Sequence, residues 1–260
     1  MGKHFTRGFT IIETMLVLAI TGAMIAGLLV GVGSSISAQR YKDSVASFRA
    51  LLQDQYSEVM NVSNDRDSNL TCDAAANITE SNGGPAPGQS DCVLLGKYIS
   101  IVGEDITTAV VVGYIPPNTS PTGASDVSAI KNSYVLGIST GSIVKTSLEW
   151  GAQIAWPQGE SGATPRRLGV LIVRSPNSGT NYTFTTDSVN DIDSVSSATL
   201  KSMLVENTSA VPGQAARTVC IDPNGASVPE RLAVYIGEAA NGPSSIESRS
   251  NITVAGSPQC

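Results

Sequence analysis

Arg7-Gly8-Phe9-Thr10-Ile11-Ile12-Glu13-Thr14-Met15-Leu16-Val17-Leu18 joins a short basic leader to an apolar run that carries one acidic residue close to its start. From Met15 to Val32 no side chain is charged. About eighteen residues at ~1.5 Å rise make about 27 Å of apolar helix, enough to cross most of a bilayer's hydrocarbon. The stretch therefore reads as a membrane helix. A carboxylate near one end of such a helix is costly unless it finds a partner or reaches the interface, so Glu13 marks a function.

Three readings compete for this N-terminus. A secretory signal peptide has a basic start, an apolar core of about 7–15 residues and a small-residue cleavage site. Here the run is too long, Glu13 sits where the core should begin, and Ser34 to Ala38 is the only stretch resembling an exit. A plain single-pass anchor fits the length, and Lys3 and Arg7 would hold the N-terminus in the cytoplasm with the C-terminal bulk outside. It leaves Glu13 unexplained.

The third reading is a resemblance. Gly8, then Phe9, then Glu13 as the fifth residue counted from that phenylalanine, then an unbroken apolar helix, resembles the type III signal of type IV pilins and pseudopilins. The resemblance is close over residues 7 to about 35 and architectural thereafter. It implies that a membrane prepilin peptidase cuts between Gly8 and Phe9 and methylates the new amine of Phe9. A glycine suits such a cut, because a residue without a side chain lets a protease approach the backbone. It also implies that Glu13 neutralises the Phe9 amine of an adjacent subunit, since opposite charges in a low-dielectric helix bundle need each other more than they would in water. The partners so implied are the peptidase, other copies or other pilins in a filament, the inner-membrane assembly machinery, and the membrane itself before assembly.

Beyond the membrane run the pattern changes. Ile36, Tyr41, Val45, Phe48, Leu52, Tyr56 and Val59 recur at steps of mostly three and four between polar residues, which predicts an amphipathic helix. Continuous from Phe9 to about Met60, it would span about 78 Å, and the resemblance makes it the spine of the subunit. Gly22, Gly27, Gly31 and Gly33 are weak helix formers within it, each costing roughly 1 kcal/mol relative to Ala. They either let neighbouring membrane helices approach closely or mark where the helix loosens in a filament. Many pilins carry a helix-bending proline in this region, and this chain has none there. The expected division is 1–8 leader, 9–60 helix (9–33 for membrane and assembly, 34–60 amphipathic) and 61–260 extracellular head.

Turn formers at 61–69 and 81–88 open the head. Short β-branched runs follow between Gly, Pro, Ser and Asn breaks: Val93 to Val102, Thr107 to Ile115, Ser133 to Ile138, Leu168 to Arg174, Tyr182 to Thr185, Arg217 to Ile221 and Leu232 to Ile236. These predict a largely antiparallel sheet, and Thr199 to Glu206 a short helix. A long N-terminal helix before a β-rich head is an α+β arrangement, with the outer half of the helix covering one face of the sheet. Four cysteines, Cys72, Cys92, Cys220 and Cys260, all fall in the head, an even number on the exported side. Of three possible connectivities, Cys72 with Cys92 and Cys220 with Cys260 is expected, because each pair brackets a loop-rich stretch. The second pair resembles the cysteine-bounded C-terminal loop of many pilins.

Composition argues for a wall rather than a catalyst. The 260 residues carry a formal charge of -6 with only 15% charged side chains, so Ser, Thr, Asn and Gly must make the surface polar. An acidic head has no general attraction for phosphate backbones, which weighs against nucleic-acid binding as the principal role. The single histidine, His4, lies in the leader, which removes most general-base and triad chemistry, and no Gly-x-Ser-x-Gly or phosphate-cradling loop is present. No cofactor is expected, and no Cys-x-x-Cys suggests zinc. The segment 187–193, with Asp187, Asn190, Asp191 and Asp193, gathers oxygen ligands without the spacing of a calcium loop and reads as a solvated acidic turn. Asn-x-Ser/Thr sites at Asn61, Asn69, Asn77, Asn118, Asn181, Asn207 and Asn251 would suit a glycosylated surface. The expectation is a pilus-like structural subunit, with a pseudopilin of a secretion system or a non-polymerising anchored binding module as alternatives.

Overall fold

A computed structural model describes residues 10–61, 70–80, 92–155, 167–187, 189, 191–205, 216–225, 228 and 230–250. The fold is α+β, and one helix dominates it. α1 runs unbroken over Ile11–Met60, 50 residues or about 75 Å. Its outer half buries Tyr41, Val45, Phe48, Leu52, Tyr56 and Val59 at helical steps, together with Ser44 and Gln55. Ile36, which the spacing assigns to the same stripe, is 46% exposed. The head first closes over the helix at Tyr41, and a stripe residue before that point has nothing to pack on.

Two antiparallel sheets form the head's framework. The larger places β5 (Val135–Ile138), β4 (Asp105–Tyr114), β3 (Cys92–Val102), β8 (Arg167–Arg174) and β9 (Asn181–Thr186) in that order, with β6 (Val144–Ser147) pairing the other half of β4. The smaller runs β12 (Ile246–Ser250), β11 (Leu232–Ile236), β10 (Arg217–Asp222), β7 (Gln153–Ala155). A hairpin of β1 (Leu70–Cys72) and β2 (Ile78–Glu80) stands apart. The buried stripe of α1 shares one core with both sheets, meeting Ile99 and Ile101 of β3, Leu168, Val170 and Ile172 of β8, and Val219, Ile221, Val234 and Ile236 of β10 and β11.

The opposite face of the large sheet is also covered. Tyr98, Leu171, Val173 and Phe184 pack under α2 (Asp126–Ser133) and α3 (Ser197–Met203), through Val127, Ile130, Leu200 and Met203. Alternate residues of β8 thus enter different cores, which is why the strand is apolar almost throughout. Gly96 sits at the bulge where β3 changes register, and a Cβ there would lie 1.9 Å from the Ile172 carbonyl oxygen.

The segment 133–138, expected as one strand, splits: Ser133 closes α2 and β5 begins at Val135. α2 starts with a reciprocal Ser125/Ser128 cap, a signal without the usual Glu or Gln at the fourth position. The helix expected over Thr199 to Glu206 is α3, begun earlier because the Ser196 hydroxyl caps it by accepting from the Thr199 amide. Glu206 lies outside the described residues.

Candidate functional site

Among the described residues, nothing packs on the first half of α1. Ile11, Ile12, Met15, Leu16, Val17, Leu18, Met24, Ile25, Leu28, Leu29, Val30 and Val32 are all more than half exposed, and the helix is long and apolar enough to span a membrane. Four of its hydroxyls are closed onto its own backbone. Thr14 donates to Ile11 O at 2.9 Å, Thr21 to Val17 O at 2.8 Å, Ser34 to Gly31 O at 3.0 Å and Ser37 to Gly33 O at 3.1 Å. Such back-bonding lets a polar side chain sit in hydrocarbon without an unsatisfied donor.

Gly27, Gly31 and Ser35 recur every four residues and form a shallow groove of about 470 Å³ walled by Leu28, Val32 and Ile36. A Cβ added at Gly22, Gly27, Gly31 or Gly33 would meet nothing within 4 Å beyond the adjoining backbone of α1 itself. No packing among the described residues therefore requires glycine at these four positions. What the groove does offer is room for a second helix at close range.

Glu13 lies at the start of the bare half. Thr10 is the N-cap of α1, its hydroxyl accepting from the Glu13 amide at 3.3 Å. Glu13 is therefore the third helical residue, where an acid also favours the helix dipole. Thr10-x-x-Glu13 is a helix-start signature that the sequence reading passed over in favour of the charge-pair explanation. The glutamate has no ion-pair partner among the described residues. Gly8 and Phe9, where processing is expected, lie outside the described residues.

The other half of α1 is tied to the head by polar contacts as well as by its stripe. The Tyr41 hydroxyl donates to Ile221 O at 2.7 Å and accepts from the Leu232 amide at 2.7 Å, pinning β10 and β11 together. Gln53 donates to Pro243 O and Ile246 O, both at 3.1 Å. Thr183 gives its proton to Ala240 O at 2.7 Å, so the Tyr56 hydroxyl, 2.8 Å away, donates to Thr183. Burial pushes the Tyr56 phenol up to about 12. Burial raises Tyr41 as well, against a lowering from the Leu232 hydrogen bond. Glu58 pairs with Lys97 of β3. Arg174 of β8 donates to Met60 O at 3.0 Å, placing a cation at a helix end that has no basic residue of its own.

Cys72 and Cys92 are joined, with Cα atoms 5.9 Å apart, tying the β1–β2 hairpin to the start of β3. Cys220, in β10, is disulfide-bonded; Cys260, its expected partner, lies outside the described residues. Asp187 pairs with Arg217. Asp191 and Asp193 border a recess of about 550 Å³ with Asp105, Lys145, Thr107 and Ser100, a lining of mixed sign. Among the described residues no three His, Cys, Asp or Glu side chains gather to hold a metal ion. Ser188 and Asn190 lie outside them.

Of the seven Asn-x-Ser/Thr sites, Asn77 and Asn118 are exposed in loops, whereas Asn181 is 7% exposed and its amide donates to Asn241 O at 3.1 Å. Asn181 is closed to modification in the folded head. Asn69, Asn207 and Asn251 lie outside the described residues. No protein-family model matches the chain, and neither a curated protein nor a solved structure matches it.

Proposed function

We propose that this chain is a structural subunit of a type IV pilus-like filament, held in the cytoplasmic membrane by residues 9 to about 33 and later drawn into a helical assembly at the cell surface. No reaction is catalysed; assembly is the mechanism. One observation carries the reading. A single rigid helix is fully seated on the head over one half and wholly bare over the other. The bare half has what a bundle of identical helices needs: an apolar surface, threonine hydroxyls closed onto the backbone, a small-residue groove and a lone carboxylate near its N-terminal end. A membrane alone demands only the first two.

Processing provides the first test. Exported protein is expected to begin at Phe9 and to carry an added methyl on its amine, as read by N-terminal sequencing and intact mass. An intact Met1, or a start near Ser37, would overturn the reading in favour of an anchor or a signal peptide.

Glu13 provides the second. Its position at the third helical residue gives it two separable roles, a cap and a charge. Glu13→Gln keeps a side chain suited to the cap and removes the charge. Membrane insertion is expected to stay intact or improve, because a costly carboxylate has gone. Surface filament is expected to fall sharply, because the Phe9 ammonium of a neighbour would be left unpaired in a packed bundle. Filament equal to the parent's would mean that the charge pair does not drive assembly, and Glu13 would be left with its place at the helix start alone.

A further inference from the structure

Among the described residues, Trp150 is the one large aromatic that the head displays openly, at 59% exposed, and its backbone is in an uncommon state. It sits at φ 60°, ψ 25°, in the left-handed region, and Gly151 follows at φ 69°. A bulky residue there is a conformational outlier. The neighbours show how it is held. Leu148 and Ala152, on either side of the turn, are buried in the core shared with α1 at 5% and 2% exposure. The Leu148 amide donates to Glu104 O at 2.8 Å and the Ala152 amide to Glu149 O at 3.3 Å. Two pinned flanks thus force the short turn outward and put an indole where water would otherwise be. Strain kept at an exposed aromatic is more readily explained by a contact made outside the subunit than by folding.

The position of that indole is informative. The Arg40 guanidinium stacks on it, 4.7 Å from the ring centroid, and Ser37, Tyr41 and Pro223 line the cleft beside it. Arg40 is the first charged residue after Glu13, and Lys42, also exposed, is the second. Counting along α1, Arg40 lies seven residues, or about 10 Å, beyond Gly33. Helix side chains lean toward the N-terminus, so the guanidinium sits lower than its Cα. With hydrocarbon ending near Gly33, the Arg40 Cα stands just past a headgroup layer about 5–8 Å deep on each side of a bilayer, and that lean brings the Arg40–Trp150 pair to the outer edge of the layer. Aromatic rings and basic side chains collect at that depth.

We infer that Trp150 and Arg40 form a lipid-facing foot of the head, seated in the headgroup layer of the membrane that α1 spans, and that this contact sets how close the head stands to the bilayer before assembly. The inference rests on α1 being a membrane span. Its occupant is a phospholipid surface, because the patch is continuous with the bare apolar helix and pairs an indole with a cation at the depth where that helix ends. Glu149, exposed on the same turn, makes the ring and Arg40, rather than a net positive field, the source of the attraction.

Trp150 and Trp156 are the only tryptophans, so Trp156→Phe in the full chain leaves one emitter. That chain would be reconstituted into phosphatidylethanolamine/phosphatidylglycerol vesicles and freed of loosely bound protein by alkaline extraction and flotation. The expected result is indole emission shifted to the blue of its value in the denatured chain. Lipid brominated near the carbonyls should quench it more strongly than lipid brominated at the chain ends, and adding Arg40→Gln should weaken that quenching. Water-like emission, unaffected by either lipid while the chain remains in the vesicles, would overturn the foot and leave the span intact. A chain that fails to float after extraction would overturn the span itself, and the foot with it.

Discussion

The two halves of α1 are one helix with opposite relations to the rest of the chain. Apart from Glu13, residues 11–33 are apolar nearly all round and touch no other described element, whereas residues 41–59 present one apolar stripe and bury it completely. The same chemistry, apolar side chains on one helix, stabilises the head in one half and contributes nothing to it in the other. Burying a large apolar side chain is worth about 1.5–3 kcal/mol, and in the bare half that free energy is available only to lipid or to another helix. A helix striped at one end and apolar all round at the other joins a soluble domain to something outside it.

Crossed substitutions would break this comparison if it is wrong. Phe48, 1% exposed in the core shared by both sheets, is expected to cost the head about 3–5 kcal/mol as Phe48→Ala and to leave membrane insertion unchanged. Leu28, 68% exposed, should do the reverse. As Leu28→Asp it should weaken insertion by about 2.5–3.5 kcal/mol with no change in the denaturant midpoint of the head. Denaturant unfolding followed by near-UV circular dichroism, beside carbonate extraction of membranes, reads both. A fall in head stability for Leu28→Asp would mean that the bare half packs on the head after all.

The disulfide is the next largest effect and asks whether the seat on α1 or the cross-link carries the head. Cys72 and Cys92 close a separation of 20 residues, worth about 3 kcal/mol in the chain-entropy account. Their bond anchors a hairpin that is separate from both large sheets. Changing both to Ser should therefore lower the head's unfolding free energy by up to about 3 kcal/mol and raise hydrogen exchange first in β1 and β2. Exchange rising first along β10 and β11 would place the weak point at the helix seat instead.

What could be read from the chain follows the same division. Periodicity placed the buried stripe of α1 and the central strands β3, β4 and β8, and Leu232–Ile236 coincides with β11, because each of these elements carries its own apolar pattern. The elements missed take their structure from a partner. β6 is exposed throughout and β12 at all but its first residue; both are edge strands defined by the strand they pair with rather than by their own residues. α2 offers few apolar residues and a serine cap, so its helical spacing is faint, and although α3 was expected, the second core that it builds with α2 was not. In the candidate site the apolar run and its glycines were plain, and Thr10-x-x-Glu13 was present to be read as a cap. Arg174 reaching Met60 and the Trp150 turn depend on tertiary placement and left no local signal.

The smallest effect concerns the tyrosine hydroxyls that fasten the seated half, and it separates packing from polar attachment. Tyr56 is fully buried and its phenol is held at about 12, chiefly because burial disfavours the charged form. In the unfolded chain the same group titrates near 10. The neutral phenol therefore adds to stability at every pH below about 10, and that contribution disappears as pH rises toward 12, because only the unfolded chain releases the proton easily. Tyr41 at the same seat and Tyr98 in the second core, both also raised by burial, push in the same direction, so the head as a whole should lose stability in alkali. Tyr56→Phe removes one titrating group and the hydrogen bond to Thr183 while keeping the ring. At neutral pH it should cost about 1 kcal/mol, and between pH 10 and 12 its stability should fall less steeply than the parent's. Urea midpoints measured from pH 7 to pH 12 for both chains would show two curves converging as pH rises. Parallel curves would mean that Tyr56 ionises as easily in the folded head as in the unfolded chain, and the outer half of α1 would then be held by its apolar stripe with no help from this hydroxyl.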